Sequence, residues 1–291
     1  METFLGKAAA CARLNARVLG LALRGRWLSS AAVAESYDRV APSYDDAWLM
    51  HLKGPTDALL SRLPRQGSGE ILDLGCGTGY ATHRLCSTFP EREVTAVDVS
   101  AGMLALARRR LAGEKVSFVQ ADMLDFLSSR PAGGASLIVS TWAMGYSRSD
   151  MVIRRAAWAL ASGGALAFVV NTADTLAPVF RAFRRCMARF PEKVRLAAWP
   201  RFPKSWASLR WDLFRSGFAI DWREEGFQEI PRPEGGASIT SWLLKTGVLA
   251  GFDQMLPLGE AGRVAEYFER CLRDDPAPIR HHYLSVVARR A

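Results

Sequence analysis

Cysteine is scarce in this chain of 291 residues. There are five, at positions 11, 76, 86, 186 and 271, none spaced as CxxC and none beside a zinc-like set of partners. That scarcity excludes a disulfide scaffold and fits a reduced compartment. Long apolar runs are also missing, so no stretch reads as a membrane span. Internal repeats and low-complexity tracts are absent, which excludes solenoids and arrays. Charge excess is nearly absent outside one segment. The chain holds 38 Lys/Arg against 29 Asp/Glu, a net +9, yet Phe180–Arg223 alone has eleven basic and three acidic residues. Such a segment suits an acidic substrate, an anionic membrane surface or nucleic acid; a solvated helix face explains it equally well.

What is present is enough apolar residue, 49%, for a sizeable core. Met1–Ala34 is rich in Ala and Leu, with Lys7, Arg13, Arg17, Arg24 and Arg26 against the single acid Glu2. It predicts an amphipathic helical segment over 1–34, ahead of a main domain over 35–291. A transit peptide, a helix lying on a membrane surface and an ordinary first helix share this composition; the last is preferred. Helical patterning continues from about Ala34 to Leu63, with a break near Pro42.

Beyond it, short apolar runs alternate with helical ones. Glu70–Leu74, Glu93–Asp98, Val116–Val119, Ser136–Ser140 and Ala165–Val170 read as buried strands, the last after a Ser162-Gly163-Gly164 turn. Phe218–Glu225 and His282–Arg289 read as the sixth and seventh. This alternation predicts an α/β doubly wound sheet. Helices over Thr172–Phe190, Ser205–Ser216, Ser238–Leu249 and Gly262–Leu272 read as lid insertions, about 172–216 and 231–277.

The chemistry gathers at Asp73-Leu74-Gly75-Cys76-Gly77-Thr78-Gly79, where the first strand turns into a helix. Glycines there let a ligand reach backbone N–H groups at the helix's positive end. Asp73 is placed to reach an amino group of a ligand. Asp98, ending the second strand about twenty residues on, stands where an acid holds ribose hydroxyls. Asp122, in Gln120-Ala121-Asp122-Met123, is placed to accept from an adenine amino group. Cys76 reads as a small filler rather than a nucleophile, and His83 as a surface or packing residue.

Taken in order, Leu72–Gly79, Val97–Leu104 and Ala121–Met123 resemble the motifs of class I, Rossmann-like methyltransferases that use S-adenosylmethionine (SAM). Ala159–Leu166 resembles the glycine turn before that family's fifth strand. Tyr37–Asp45 resembles the segment that folds over SAM in ubiquinone/menaquinone-type and related small-molecule enzymes. The resemblance implies a seven-stranded sheet, SAM as cofactor and a transferase activity. It implies that Gly75, Cys76, Gly77 and Gly79 line the methionine and ribose, that Asp98, Val99 and Met103 flank the ribose side, and that Asp122 and Met123 flank the adenine. Ser140 and Thr141 would lie beside the sulfonium, with Tyr37 and Tyr44 covering the methionine end.

For the acceptor, His51, Tyr146, His281 and His282 are candidate bases, with His51 and Tyr146 preferred as catalytic. Trp142, Tyr146, Phe183 and Trp242 are the candidate acceptor-binding residues. The position after the fourth strand reads Ser140-Thr141-Trp142-Ala143, without the prolines that mark nucleobase amino-methyltransferases. Ser140 also stands where catechol-type enzymes carry a metal-binding acid, so no metal is expected. The expected reaction is O- or C-methylation of a small or medium-sized aromatic or lipid-like molecule. RNA methylation through the basic segment, or SAM binding without catalysis, are the alternatives. Nucleic acid is not the expected partner. The expected location is cytoplasmic, with peripheral membrane contact open to the N-terminal helix; oligomeric state is left open.

Overall fold

The structure, a computed structural model, describes residues 4–198, 202–233 and 237–291. In chain order come α1 (Phe4–Leu23), α2 (Ser30–Tyr44), a π-helical turn (Asp45–Leu49) and α3 (Met50–Ser61). The alternating part follows: β1 (Glu70–Leu74), α4 (Tyr80–Thr88), β2 (Val94–Asp98), α5 (Ala101–Arg110), β3 (Val116–Gln120), α6 (Met123–Ser128), β4 (Ala135–Thr141), α7 (Ser149–Ala159) and β5 (Leu160–Asn171). The remainder is α8 (Ala177–Arg189), α9 (Trp206–Arg215), β6 (Phe218–Glu229), α10 (Ile239–Lys245), α11 (Phe252–Met255), α12 (Arg263–Arg273) and β7 (Arg280–Arg290).

Two compact units share the chain. The first takes its described residues from Met1–Trp48, Leu176–Trp199 and Glu229–Arg280; the second from Leu49–Thr175, Pro200–Gln228 and His281–Ala291. The second unit holds the sheet, in the order β3-β2-β1-β4-β5-β7-β6. The β1–β2, β2–β3, β1–β4 and β4–β5 pairs are parallel, and β7 runs antiparallel to β5, with Asn171 opposite Tyr283. The chain order reverses between β1 and β4, and at such a switch point the carboxyl ends of the strands open a crevice for ligands. β1 and β2 read as continuous apolar runs because both faces are covered: Ile71, Leu72, Leu74, Val94, Ala96 and Val97 are all fully buried. Beside them Ile138, Phe168, Val170, Leu284 and Val286 form the centre of the core.

The first unit is helical. α1 is tied to the chain beyond α8 by Arg17, whose Nε and Nη2 donate to the Val194 carbonyl at 3.0 and 2.8 Å. The Leu28 and Ala197 N–H groups donate to the Ala197 and Arg26 carbonyls, closing a short bridge. Phe252 packs edge-on against Phe180 and Phe183, and Asp253 accepts from Ser36 and Arg39 of α2. Among the described residues no helix is long and apolar enough to cross a membrane.

Three boundaries differ from expectation. The helix does not break at Pro42; it runs on to Tyr44 and widens into the π turn at Asp45. The proline removes one backbone donor near the helix end, where the lost bond disturbs little. The expected turn at Gly163 lies within β5, which begins at Leu160; Gly163 takes φ +76° and the β4–β5 register shifts beside it, so the glycines make a bulge. α8 starts five residues later than expected, because Leu176 takes φ 50° and ends the turn that precedes it.

Candidate functional site

In the second unit, the Gly75 and Cys76 N–H groups both donate to the Val97 carbonyl, at 2.7 and 3.0 Å, which fixes the start of the glycine turn on β2. The three glycines have positive φ for different reasons. A Cβ on Gly75 would stand 2.1 Å from the Ala143 Cβ, and one on Gly79 would meet Leu111 and Ala107 at 3.0 to 3.2 Å. Those two serve packing. Gly77, at φ +54°, faces open space, so the backbone is accessible to a ligand there.

Two acids frame that opening. Asp98 accepts from the Gly77 N–H at 2.8 Å through Oδ2 and from the Ser100 N–H at 2.9 Å through Oδ1. Asp73 is fully buried; Thr82 donates to its Oδ2 at 2.6 Å, and its Oδ1 has no hydrogen-bond partner among the described residues. Burial, opposed by the Thr82 bond and reinforced by the Asp98 charge, pushes the Asp73 carboxyl up to about 7. Burial and the same two acids raise the Cys76 thiol well above its usual range, which makes it an inert filler. A paired acidic edge with one orphaned carboxylate oxygen suits a ligand bearing an ammonium group and a ribose.

The other expected cofactor residues lie on several elements. Asp122 caps α6, its Oδ1 accepting from the Leu124 N–H at 2.8 Å; Met123, the first residue of that helix, points its methyl toward Gly75. Met103 is buried on α5, Val99 is half-buried, and Ser100 caps the helix between them. Ser140 is fully buried and donates to the Leu74 carbonyl at 2.8 Å, tying β4 to β1, while Thr141 is half-buried at the end of β4. Tyr37 and Tyr44 belong to the first unit, where their rings meet edge-on at 6.2 Å and leave room only for glycine at Gly247. Phe183 is in that unit's core and Trp242 is half-buried on α10.

After β4, Trp142 takes the left-handed backbone conformation, φ 64°, which a bulky side chain adopts only under constraint. The constraint is visible: its Nε1 donates to Thr56 Oγ1 at 3.0 Å, and its ring packs on His281 at 5.1 Å and Tyr283 at 5.4 Å. His281 Nδ1 lies 2.8 Å from Asn171 Oδ1, to which Thr175 also donates. Burial, reinforced by nearby His51, holds His281 down to about 3, so its ring is neutral and Nδ1 donates to Asn171. Burial also lowers His51 on α3. Tyr146 is half-buried in a 3-10 turn (Met144–Tyr146), and the Phe202 ring lies against Gly145 within it. His282 sits between the carboxylates of Asp174 and Glu225, a structural clamp.

Thr56, Asn171 and Thr175 were not among the residues expected from the sequence. One signal was available: Asn171 is a polar residue ending an otherwise apolar strand at the ligand-binding edge. Of the basic segment, Trp199 and Arg201 lie outside the described residues. Arg181, Arg195 and Arg223 form ion pairs with Asp275, Glu260 and Glu225 at 2.8, 2.6 and 2.8 Å.

Comparison with known proteins agrees with this geometry. A family described as Methyltransferase domain matches residues 71–164. Trans-aconitate 2-methyltransferase of Methylobacterium nodulans is 33% identical over 220 residues, spanning 73% of this chain and 81% of that protein. Malonyl-[acyl-carrier protein] O-methyltransferase of Enterobacter lignolyticus is 35% identical over 160 residues, 53% of this chain and 59% of that protein. The crystal structure of geranyl diphosphate C-methyltransferase from Streptomyces coelicolor shares the fold at a TM-score of 0.50 and 14% identity, over 82% of this chain and 79% of that one. Motifs, strand order and relatives converge: the chain belongs to the class I SAM-dependent methyltransferases that act on small molecules.

Proposed function

We propose that this enzyme transfers the methyl group of SAM to a carboxylate oxygen of a small organic acid. The observation that carries the reading is the trans-aconitate 2-methyltransferase relative, similar over four-fifths of its length. The malonyl O-methyltransferase, shorter in its match, also has a carboxylate-bearing acceptor in its name. SAM, when bound, supplies a methyl already activated by its positive sulfur.

In this reading the protein's own residues bind and align. Asp73 and Asp98 hold the ammonium and ribose ends, Gly77 admits the ligand to the backbone, and Asp122 with Met123 flanks the adenine. The acceptor chemistry follows from the weakness of the bases. A useful general base titrates near the working pH. His281 is held at about 3, too low to strip a hydroxyl, and burial lowers His51 from its usual value. A carboxylate needs no deprotonation, and alignment alone accelerates its attack. Trp142 and Tyr146 then orient the acceptor. The carboxylate reading is supported by the relatives' names, whereas the aromatic or lipid-like acceptor expected from the sequence rests on the basic segment, where Arg181 and Arg195 are held in ion pairs.

The test offers trans-aconitate and a malonyl thioester to the enzyme with methyl-labelled SAM. The expected product releases labelled methanol in mild alkali, as a methyl ester does. A labelled product stable to alkali overturns the carboxylate assignment. Unchanged SAM binding in Asp98→Ala overturns the cofactor roles.

A further inference from the structure

We infer that the first unit carries a second binding site, for a multiply charged phosphate group, in a cleft of about 550 Å3 lined by Arg13, Arg17, Arg189, Phe190, Glu192 and Arg263. None of these residues belongs to the glycine turn or its acids, and the inference stands apart from the methyl-transfer reading. Four arginines and one glutamate line it. Among the described residues none of the four is in an ion pair, while Arg39, Arg181 and Arg195 of the same unit all are.

The arrangement is costly without a counter-charge. Arg13 and Arg17 are four residues apart on α1, so like charges share one helix face, a destabilising pair. Arg263 is the first residue of α12, where the helix dipole disfavours a cation, and Gly262 before it offers no side-chain cap. An anion in the cleft relieves both at once. Two of the guanidiniums are also held in place: Arg17 by the Val194 carbonyl, and Arg189 over the Phe190 ring at 5.7 Å. Pre-placed guanidinium forks match phosphate oxygens in pairs, which is why arginine rather than lysine suits such a site. The volume exceeds what one phosphate fills and falls in the range of small-molecule sites.

The phosphate can come from a soluble phosphorylated molecule or from an anionic lipid headgroup. Leu19 and Leu23, strongly exposed further along α1, make the second source worth a separate arm. The probe for the first is tripolyphosphate, titrated calorimetrically into the full chain at low salt. For the second, vesicles containing phosphatidylglycerol are compared with phosphatidylcholine alone. The site variant is Arg13→Gln/Arg263→Gln. The control, Arg154→Gln/Arg155→Gln on α7, removes the same charge from exposed positions of the second unit.

The expected result is one-to-one tripolyphosphate binding that weakens by about tenfold or more in the site variant and is unchanged in the control. Vesicle binding lost in the same variant and competed by tripolyphosphate assigns the headgroup to this cleft. Tripolyphosphate binding without vesicle binding assigns a soluble ligand. Absence of saturable binding in both arms, or equal loss in both variants, overturns the inference. Unchanged hydrogen-exchange protection of α1, α8 and α12 in the site variant shows that the first unit is folded.

Discussion

On the proposed reading, Asp73 is the residue whose chemistry most constrains cofactor binding. A carboxyl held at about 7 by burial is largely protonated at mildly acidic pH in the ligand-free protein. The ammonium of SAM favours the ionised form, so binding must release a proton wherever Asp73 began protonated. The sign follows directly: affinity rises with pH up to about 7 and levels off above it. S-adenosylhomocysteine, which keeps the ammonium, should show the same slope. Calorimetry in two buffers of different ionisation heat at about pH 6 should report proton release. In Asp73→Asn that release disappears and affinity becomes both weaker and flat with pH. The ligand-free protein should behave in the opposite sense. The folded state binds the extra proton between the usual carboxylate range and about 7, so this group's contribution to stability is full at low pH and is lost as pH rises through 7. An affinity flat from pH 5.5 to 8 in the wild type (about two and a half pH units) would contradict the assignment.

The glycine turn is the element where sequence and structure can be compared most closely. All three glycines were legible as a motif, but their reasons were not, because a string of letters does not show what stands opposite a missing Cβ. Gly75→Ala places a methyl against Ala143 at 2.1 Å, with positive φ besides. It should lower stability by about 3 kcal/mol or more, measured by chemical denaturation. Gly77→Ala meets open space and only the backbone penalty, about 1 kcal/mol, so the protein should remain folded. Its SAM affinity should nonetheless fall by about tenfold or more, because the added methyl occupies the ligand's approach. Equal stability losses in the two variants would show that Gly77 is a packing glycine as well. The same limit on legibility recurs elsewhere. The doubly wound sheet was readable, since short apolar strands alternating with helices admit few architectures. Asp98 was readable because an acid ending a buried strand has few other uses. The Trp142–His281–Asn171 cluster was not, because its members are far apart in sequence and meet only through the β5–β7 pairing. Ser140 was read as a ligand neighbour, yet its hydroxyl bonds β1 to β4, a use that only the register reveals.

At the scale of the whole molecule the open question is whether residues 1–34 are an appendage or part of the fold. Composition allows either. The structure gives the segment internal partners within the first unit. Leu21, Leu28 and Val33 are buried, Arg17 bonds the Val194 carbonyl, and the chain around Trp27 pairs with Ala197. Val33 and Leu28 also meet Gly251, where an added Cβ would stand 3.1 Å from the valine. The described residues of the segment pack as a structural part of the first unit. Burying a leucine contributes about 1.5–3 kcal/mol, and deletion of residues 1–28 removes two such side chains, Leu21 and Leu28, together with the Arg17 and Ala197 links. Deleting residues 1–28 should therefore unfold or loosen the first unit, seen as rapid hydrogen exchange over α8 and α12. The glycine turn and the sheet belong to the second unit, so protection of β1, β2 and β4 is the internal reference in the same experiment. A leader or surface appendage predicts the contrary result: unchanged exchange in α8 and α12 and an unchanged denaturation midpoint. Adding S-adenosylhomocysteine sharpens the comparison, because a ligand at a hundred times its Kd stabilises its folded form by about 2.7 kcal/mol. That stabilisation should slow exchange in the second unit of the truncated protein without restoring the helices of the first.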